Sequence, residues 1–217
     1  MLIPISYPLN RERRSTPERN RSRSPAQSPL KEAMRRRRAG SPSPATPGRT
    51  SPSPTGGSVR AILAPEAVFE PAQCIAIPKT GAEPIRIYDL LEHLDAVLSA
   101  RALFVKTGSG RLRESDPEAY AKAHPWVHPE VPGFLRAENP ALRLFGIDTI
   151  SVAVPAEPEE GAEAHRGFLC ESPHIFILED VDLSYGRLPG EPWILRLYPV
   201  VFDDLDGVPV VALAEFE

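Results

Sequence analysis

Five histidines, two cysteines and a scatter of carboxylates are the side chains best able to do chemistry in this chain of 217 residues. Two stand out by their setting: His165, in Ala164-His165-Arg166-Gly167, and Glu179, in Ile177-Leu178-Glu179-Asp180. Glu179 closes an apolar run, and a carboxylate there is costly to bury unless it is paired or bound to a metal. Imidazole with carboxylate suits zinc or manganese, ions that polarise a carbonyl and activate water. By spacing alone, a surface glutamate and a helix-end histidine are the simpler explanation.

The other candidates read more plainly. His124 and His128 have the four-residue spacing that puts two ligands on one helical face, but Pro125 and Pro129 push both toward extended geometry, which favours structural or surface roles. His93, beside Glu92 on the polar side of a helix, is expected to be solvated. Thr107-Gly108-Ser109-Gly110-Arg111 follows an apolar run but lacks the spacing and the Lys-Ser/Thr of a P-loop, so it reads as a tight turn. No Gly-x-Ser-x-Gly elbow supplies a serine nucleophile. Cys74 and Cys170 are too few for a disulfide framework, and no long apolar stretch opens the chain. A reducing cytoplasm without a membrane span is the expected setting.

The elements that must position these residues follow from periodicity. Gln73 to Ile77 is a short strand closed by Pro78, and Ile87 to Ala100 places Leu90, Leu91, Leu94, Val97 and Leu98 at helical spacing. Ala102 to Lys106 is a strand ended by Thr107-Gly108. Asp116-Pro117-Glu118 opens a brief helix, with Asp116 as cap and Pro117 in the first turn. A second helix spans Val131 to Asn139, strands follow at Leu142 to Ile147 and Thr149 to Val154, and Ala156 to Gly167 is loop then helix. The C-terminal third is β-rich: His174 to Leu178, Trp193 to Val201, and Val208 to Phe216, with Pro209 marking an edge or bulge. Strands mixed with helices predict an α/β or α+β layer fold.

Charge divides the chain. Residues 1–60 hold 13 Lys and Arg against 3 acidic residues, a net of +10, while the remainder holds 12 against 26, a net of −14. Within the basic part, residues 11–55 are an Arg/Ser/Pro run with almost no aliphatic side chain beyond Leu30 and Met34. Such a run cannot bury enough apolar surface to offset its ordering entropy and is expected to be disordered. The predicted organisation is an N-terminal strand in residues 1–10, a low-complexity basic segment in 11–55 and one domain in 56–217.

Several stretches resemble the cyclase family of metal-dependent hydrolases, which includes kynurenine formamidase (arylformamidase) and isatin hydrolase. Leu2-Ile3-Pro4-Ile5-Ser6-Tyr7-Pro8-Leu9-Asn10 resembles its opening strand, and Asp95-Ala96 through Ala102-Leu103-Phe104-Val105-Lys106-Thr107-Gly108 its central strand ending in Thr-Gly. Leu144-Phe145-Gly146-Ile147-Asp148-Thr149-Ile150-Ser151-Val152 is similar to its Gly-Ile-Asp-x-x-Ser segment. The resemblance implies a swivelling β/β/α domain, a homodimer, and hydrolysis of an amide or lactam by metal-activated water in tryptophan catabolism. It also implies that His165 and Glu179, with Leu183-Ser184 behind them, are metal ligands for zinc or manganese, at a spacing slightly longer than the family's.

The family's other ligands and its catalytic histidine belong to an early motif, His-x-Gly-Thr-His-x-Asp-x-Pro-x-His, for which this chain has no counterpart: no histidine precedes His93. The Arg/Ser/Pro run lies where that motif is expected. Reading codons across the frame, Pro44-Ala45-Thr46-Pro47-Gly48-Arg49-Thr50 permits Gly-His-Ala-Gly-Thr-His if Arg49 uses a C-G-x codon. Pro52 cannot yield the motif's aspartate in that frame. A frame disruption after about Pro17, resolved before Gly56, is one reading, which makes the chain an amide hydrolase impaired at its metal site. The other is a catalytically inactive scaffold whose basic segment, centred on Arg35 to Arg38, binds acidic partners, nucleic acid being the less favoured of these.

Overall fold

The computed structural model describes residues 1–7, 68–200 and 207–217, which all belong to one compact unit. The expected disorder of residues 11–55, and the boundaries at 10 and 56, lie outside the described residues.

Strands β1 (Leu2–Pro4), β2 (Val68–Ala76), β4 (Ala102–Lys106), β6 (Leu144–Ile147), β7 (Phe176–Leu178), β8 (Trp193–Pro199) and β9 (Val210–Glu215) form one curled sheet in the order β1-β9-β8-β2-β4-β6-β7. From β2 to β7 the pairings are parallel, and from β1 to β2 they are antiparallel. Two short strands, β3 (Pro84–Ile85) and β5 (Trp126–Val127), pair in parallel beside it. The parallel strands are apolar runs because both of their faces are covered: Ala102, Leu103, Phe104 and Val105 are all fully buried.

Helices α1 (Ile87–Leu91), α2 (Leu94–Ser99), α3 (Leu112–Ser115), α4 (Pro117–Lys122), α5 (Glu130–Glu138) and α6 (Pro158–Leu169), with a 3₁₀ helix at Ser109–Arg111, complete the described elements. Leu103, Val105, Phe145 and Ile147 meet Leu135 of α5 and Phe168 of α6 in one core, while Phe104 meets Trp193, Leu195 and Phe216 in another. Gly146 faces Phe104 so closely that a Cβ there would lie 2.3 Å from the ring. Among the described residues, no helix is long and apolar enough to cross a membrane.

The expected α/β layering is present, with local corrections. The predicted helix over Ile87 to Ala100 is two helices, broken at Glu92 and His93; His93 is half-buried rather than solvated, and its Nε2 lies 3.2 Å from the Ala76 carbonyl oxygen. β2 begins five residues before the predicted strand, because its first half pairs with β8 and its second with β4 across an irregularity between Phe69 and Ala72. Thr149 to Val154 is a loop, not a strand. Its Val152 N–H donates to the Glu179 carboxylate and its Val152 carbonyl accepts from Val127, so those groups are not available to a ladder. The final helix runs on to Leu169, placing His165 within it rather than at its end.

Candidate functional site

The polar residues converge where the parallel strands end, the usual location of sites in such sheets. Thr107-Gly108 follows β4, Asp148 follows β6 and Glu179-Asp180 follows β7. Asp148 is 3 % exposed and ties the first two together: it accepts from the Thr107 N–H (2.8 Å), the Thr107 hydroxyl (2.6 Å) and the Gly108 N–H (2.8 Å). Gly108 turns the chain with φ +85°, and the rest of the stretch expected as a tight turn, Ser109–Arg111, is a 3₁₀ helix that leads into α3.

Ser151, three residues beyond Asp148, reaches across to β7. Its hydroxyl donates to Glu179 Oε1 at 2.9 Å, beside the Val152 N–H at 2.8 Å. The loop that presents these donors is held by its own short-range bonds, Thr149 Oγ1 to the Ser151 carbonyl and Ala153 N–H to Ser151 Oγ. Gly-Ile-Asp-x-x-Ser is therefore a device in which the aspartate organises one strand end and the serine another.

The same carboxylate oxygen also meets His165, with Nε2 and Oε1 3.5 Å apart. His165 Nδ1 lies 2.8 Å from the Gly161 carbonyl oxygen, which can only accept, so Nδ1 carries the proton. In the neutral ring Nε2 then presents a lone pair to a carboxylate oxygen, and two acceptors face each other across a gap that calls for a cation. Burial acts to lower the His165 pKa, but the hydrogen bonds to Glu179 and Gly161 and the Glu179 charge outweigh it and hold it above its ordinary value. Burial acts to raise Glu179, yet His165, the Val152 N–H and the Ser151 hydroxyl hold it below the usual carboxylate range. The pair is thus an imidazolium and carboxylate, or a metal's two ligands.

Asp180 anchors the turn after Glu179. It is in the left-handed region at φ +56°, its N–H donates to the Thr149 carbonyl, and its carboxylate takes two hydrogen bonds from Arg113 (2.8 and 3.1 Å) and one from Tyr120 (2.7 Å). The Arg113 guanidinium lies 4.0 Å from the centre of the Tyr7 ring, and Ser6 bridges Val181. Burial first, then the Asp182 and Asp180 charges, push the Tyr7 phenol up to about 12. Periodicity offered no sign of this clamp, whose members come from four separate parts of the chain.

Beside Ser151, a cleft of about 390 Å³ is lined by His124, Ile150, Val154, Pro155, Pro158 and Ala121. His124 is 1 % exposed, and burial, offset in part by the Pro125 carbonyl and Glu179, lowers its pKa. His128 does not share its face: it packs against Trp126 and lies 3.4 Å from Glu130. Cys74 is buried, and burial pushes its thiol up to about 12, which makes it an inert core residue.

The His165–Glu179 pair fits part of a metal site. Zinc bonds of about 2.0–2.2 Å to nitrogen and oxygen at a tetrahedral angle place two ligand atoms about 3.4 Å apart. The observed 3.5 Å matches that spacing, and an Nδ1–H bonded to a backbone carbonyl is the usual support for a histidine that ligates through Nε2. Among the described residues, however, no group of three or more His, Cys, Asp or Glu side chains could hold a metal. All five histidines and both cysteines are among the described residues, so no further nitrogen or sulfur ligand is to be sought outside them.

Comparison with known proteins places the fold. The chain is similar to isatin hydrolase A from Ralstonia solanacearum, with 22 % identity and a TM-score of 0.55 over 77 % of this chain and 66 % of that one. It is also similar to isatin hydrolase A from Labrenzia aggregata bound to benzyl benzoate, with 20 % identity and a TM-score of 0.52 over 69 % and 61 %. An isatin hydrolase bound to the product analogue thioisatinate gives 20 % and 0.51 over 69 % and 60 %. The chain thus spans a little under two thirds of the length of these structures. No family model and no curated protein sequence matches it. The chain has the isatin hydrolase fold, the α/β arrangement that the cyclase-family resemblance implies.

Proposed function

We propose that this chain derives from a metal-dependent amide hydrolase of the arylformamidase type, acting on N-formylkynurenine or a related acyl or cyclic amide, and that its metal site is incomplete. The observation that carries this reading is the His165–Glu179 pair, two lone-pair donors held at ligand spacing beside a cleft in an isatin hydrolase fold. His165 and Glu179 would hold zinc or manganese, which would supply Lewis-acid polarisation of the amide carbonyl and activation of water. Ser151 and the Val152 N–H keep Glu179 ionised and aimed, and Gly161 keeps the His165 tautomer. The amide substrate would enter by the cleft at His124 and Ile150. A homodimer in a reducing cytoplasm belongs to the same reading. Exposed Leu2, Val68, Tyr198 and Val211 on the antiparallel strands support the first, and the two free cysteines the second.

Resequencing the coding DNA and measuring metal content beside hydrolysis of N-formylkynurenine and isatin test the proposal. The chain as written is expected to hold substoichiometric metal and to turn over neither amide, whereas a frame-corrected chain carrying the histidine motif binds one equivalent and hydrolyses. Stoichiometric metal with turnover by the chain as written would overturn the impaired site. A frame-corrected chain that binds no metal would overturn the hydrolase reading. The lack of a third donor among the described residues favours, as the second reading, an inactive scaffold that binds acidic partners through the basic segment of residues 11–55. Salt-sensitive binding of a polyanion, lost on deleting residues 11–55, would select it.

A further inference from the structure

Helix α6 carries His165 toward Glu179, and one turn earlier, at Gly161, that helix packs tightly against the Ser151 loop. A Cβ built on Gly161 would sit 2.4 Å from the Ala153 Cβ and 3.1 Å from its Cα. Both are far inside ordinary carbon–carbon contact of about 3.5–4.0 Å, so only glycine permits the helix to rest there. Ala153 belongs to the loop that grips Glu179: its N–H donates to Ser151 Oγ, whose proton goes to Glu179 Oε1. Gly161 belongs to the helix that grips His165, since its carbonyl accepts from His165 Nδ1. His165 follows Gly161 by four residues and therefore lies on the same helical face.

We propose that Gly161 is a positioning residue for the site: its contact with Ala153 sets the separation of His165 Nε2 from Glu179 Oε1, and its carbonyl sets the tautomer that turns Nε2 toward the carboxylate. Any side chain at 161 must move α6 or the loop by about 1 Å to restore contact distance. The gap is 3.5 Å, so such a shift carries the two atoms out of reach of a single ion. Ala153 is the matching half of the contact, and either residue fails if the other grows. The zinc consequence rests on the hydrolase reading, whereas the spacing consequence does not.

The test compares wild type, Gly161→Ala, Ala153→Gly, the double variant, and Gly133→Ala as a control at a helical glycine whose Cβ would meet nothing within 4 Å. Two readouts are needed beyond circular dichroism: the ¹⁵N spectrum of the metal-free His165 ring at fixed pH, assigned with His165→Gln, and zinc affinity by chelator competition. Folded Gly161→Ala is expected to lose the wild-type ring spectrum and about tenfold or more in zinc affinity, while Ala153→Gly in the same chain, which removes the 2.4 Å contact but leaves the one of 3.1 Å with the Cα, recovers part of both and Gly133→Ala changes neither. A folded Gly161→Ala with wild-type spectrum and affinity overturns the proposal. Should that variant not fold, the double variant measured against Ala153→Gly decides: the Cβ at 161 still meets the Cα at 153 at 3.1 Å, so a folded double variant whose ring spectrum matches that of Ala153→Gly overturns it equally. If wild type binds no zinc, as an incomplete site permits, the hydrolase reading is left to the frame-corrected chain and the ring spectrum alone decides the positioning role.

Discussion

The two halves of the sheet spend their side chains differently. On the antiparallel side, Trp193 of β8 and Phe216 just beyond β9 pack with ring centres 6.4 Å apart, Trp193 also meets Phe104 of the parallel strand β4 at 5.0 Å, and the charges nearby form simple pairs, Arg196 with Glu215 and Arg187 with Glu191. On the parallel side, β4, β6 and β7 end together and deliver Thr107, Asp148, Glu179 and Asp180 to one edge. Each of those groups is engaged by a partner from another element. A parallel sheet must return every strand through a crossover, which leaves all its carboxyl ends on one edge with loops free to carry polar groups. The antiparallel half has no such edge, and its contribution is stability.

Substitutions that separate stability from site geometry probe this division. The largest loss is expected from Trp193→Ala, which empties the antiparallel core and should cost about 3–5 kcal/mol in denaturant unfolding while leaving the His165 ring spectrum of the folded fraction unchanged. A shifted spectrum would show the halves to be coupled. Asp148→Ala strips the acceptor from three donors around Thr107 and Gly108 and should cost about 2–4 kcal/mol, with amide exchange rising first at Thr107 and Gly108. Equal loss of protection in β8 and β9 would argue against a separate parallel-edge unit. Asp116→Ala removes the cap that accepts from the Ala119 N–H and should cost about 1 kcal/mol, confined to α4.

The smallest effect is a pH dependence at His124. Its folded pKa lies below the ordinary 6.5, so above that value neither state is protonated there and stability is at its full level. As the pH falls through 6.5 toward the folded pKa, the unfolded chain takes up the proton first and the folded state loses ground. The stability difference between wild type and His124→Gln should therefore shift against wild type from pH 7.5 to 5. An opposite slope would mean that Glu179, rather than burial, governs this histidine.

Much of this molecule was legible in local pattern. The apolar run from Ala102 to Lys106, the Asp116-Pro117 start and the glycine turn at 108 are decided by a few neighbouring residues, and each stands where expected. Local pattern failed where hydrogen bonds were claimed from elsewhere. Thr149 to Val154 has the composition of a strand but gives its Val152 N–H to Glu179, and the helix over Ile87 to Ala100 breaks at His93, whose ring meets β2. Of the site, His165 and Glu179 were visible as residue types, their role as ligands came only from the resemblance, and Ser151 was visible only as part of a motif. Arg113, Tyr120, Asp180 and Gly161 gave no signal, because a salt bridge or a close contact between distant segments leaves no period in the sequence.

The amino-acid sequence by itself determined that this chain has an apolar α/β layering, a charge-divided first quarter and no histidine before His93. Those properties follow from residue type and spacing, which no folding can alter. Only the tertiary structure decided that His165 and Glu179 stand 3.5 Å apart, because that distance depends on how closely α6 can lie against the Ser151 loop. It is set by atoms that are missing, the Cβ at Gly161, as much as by those present.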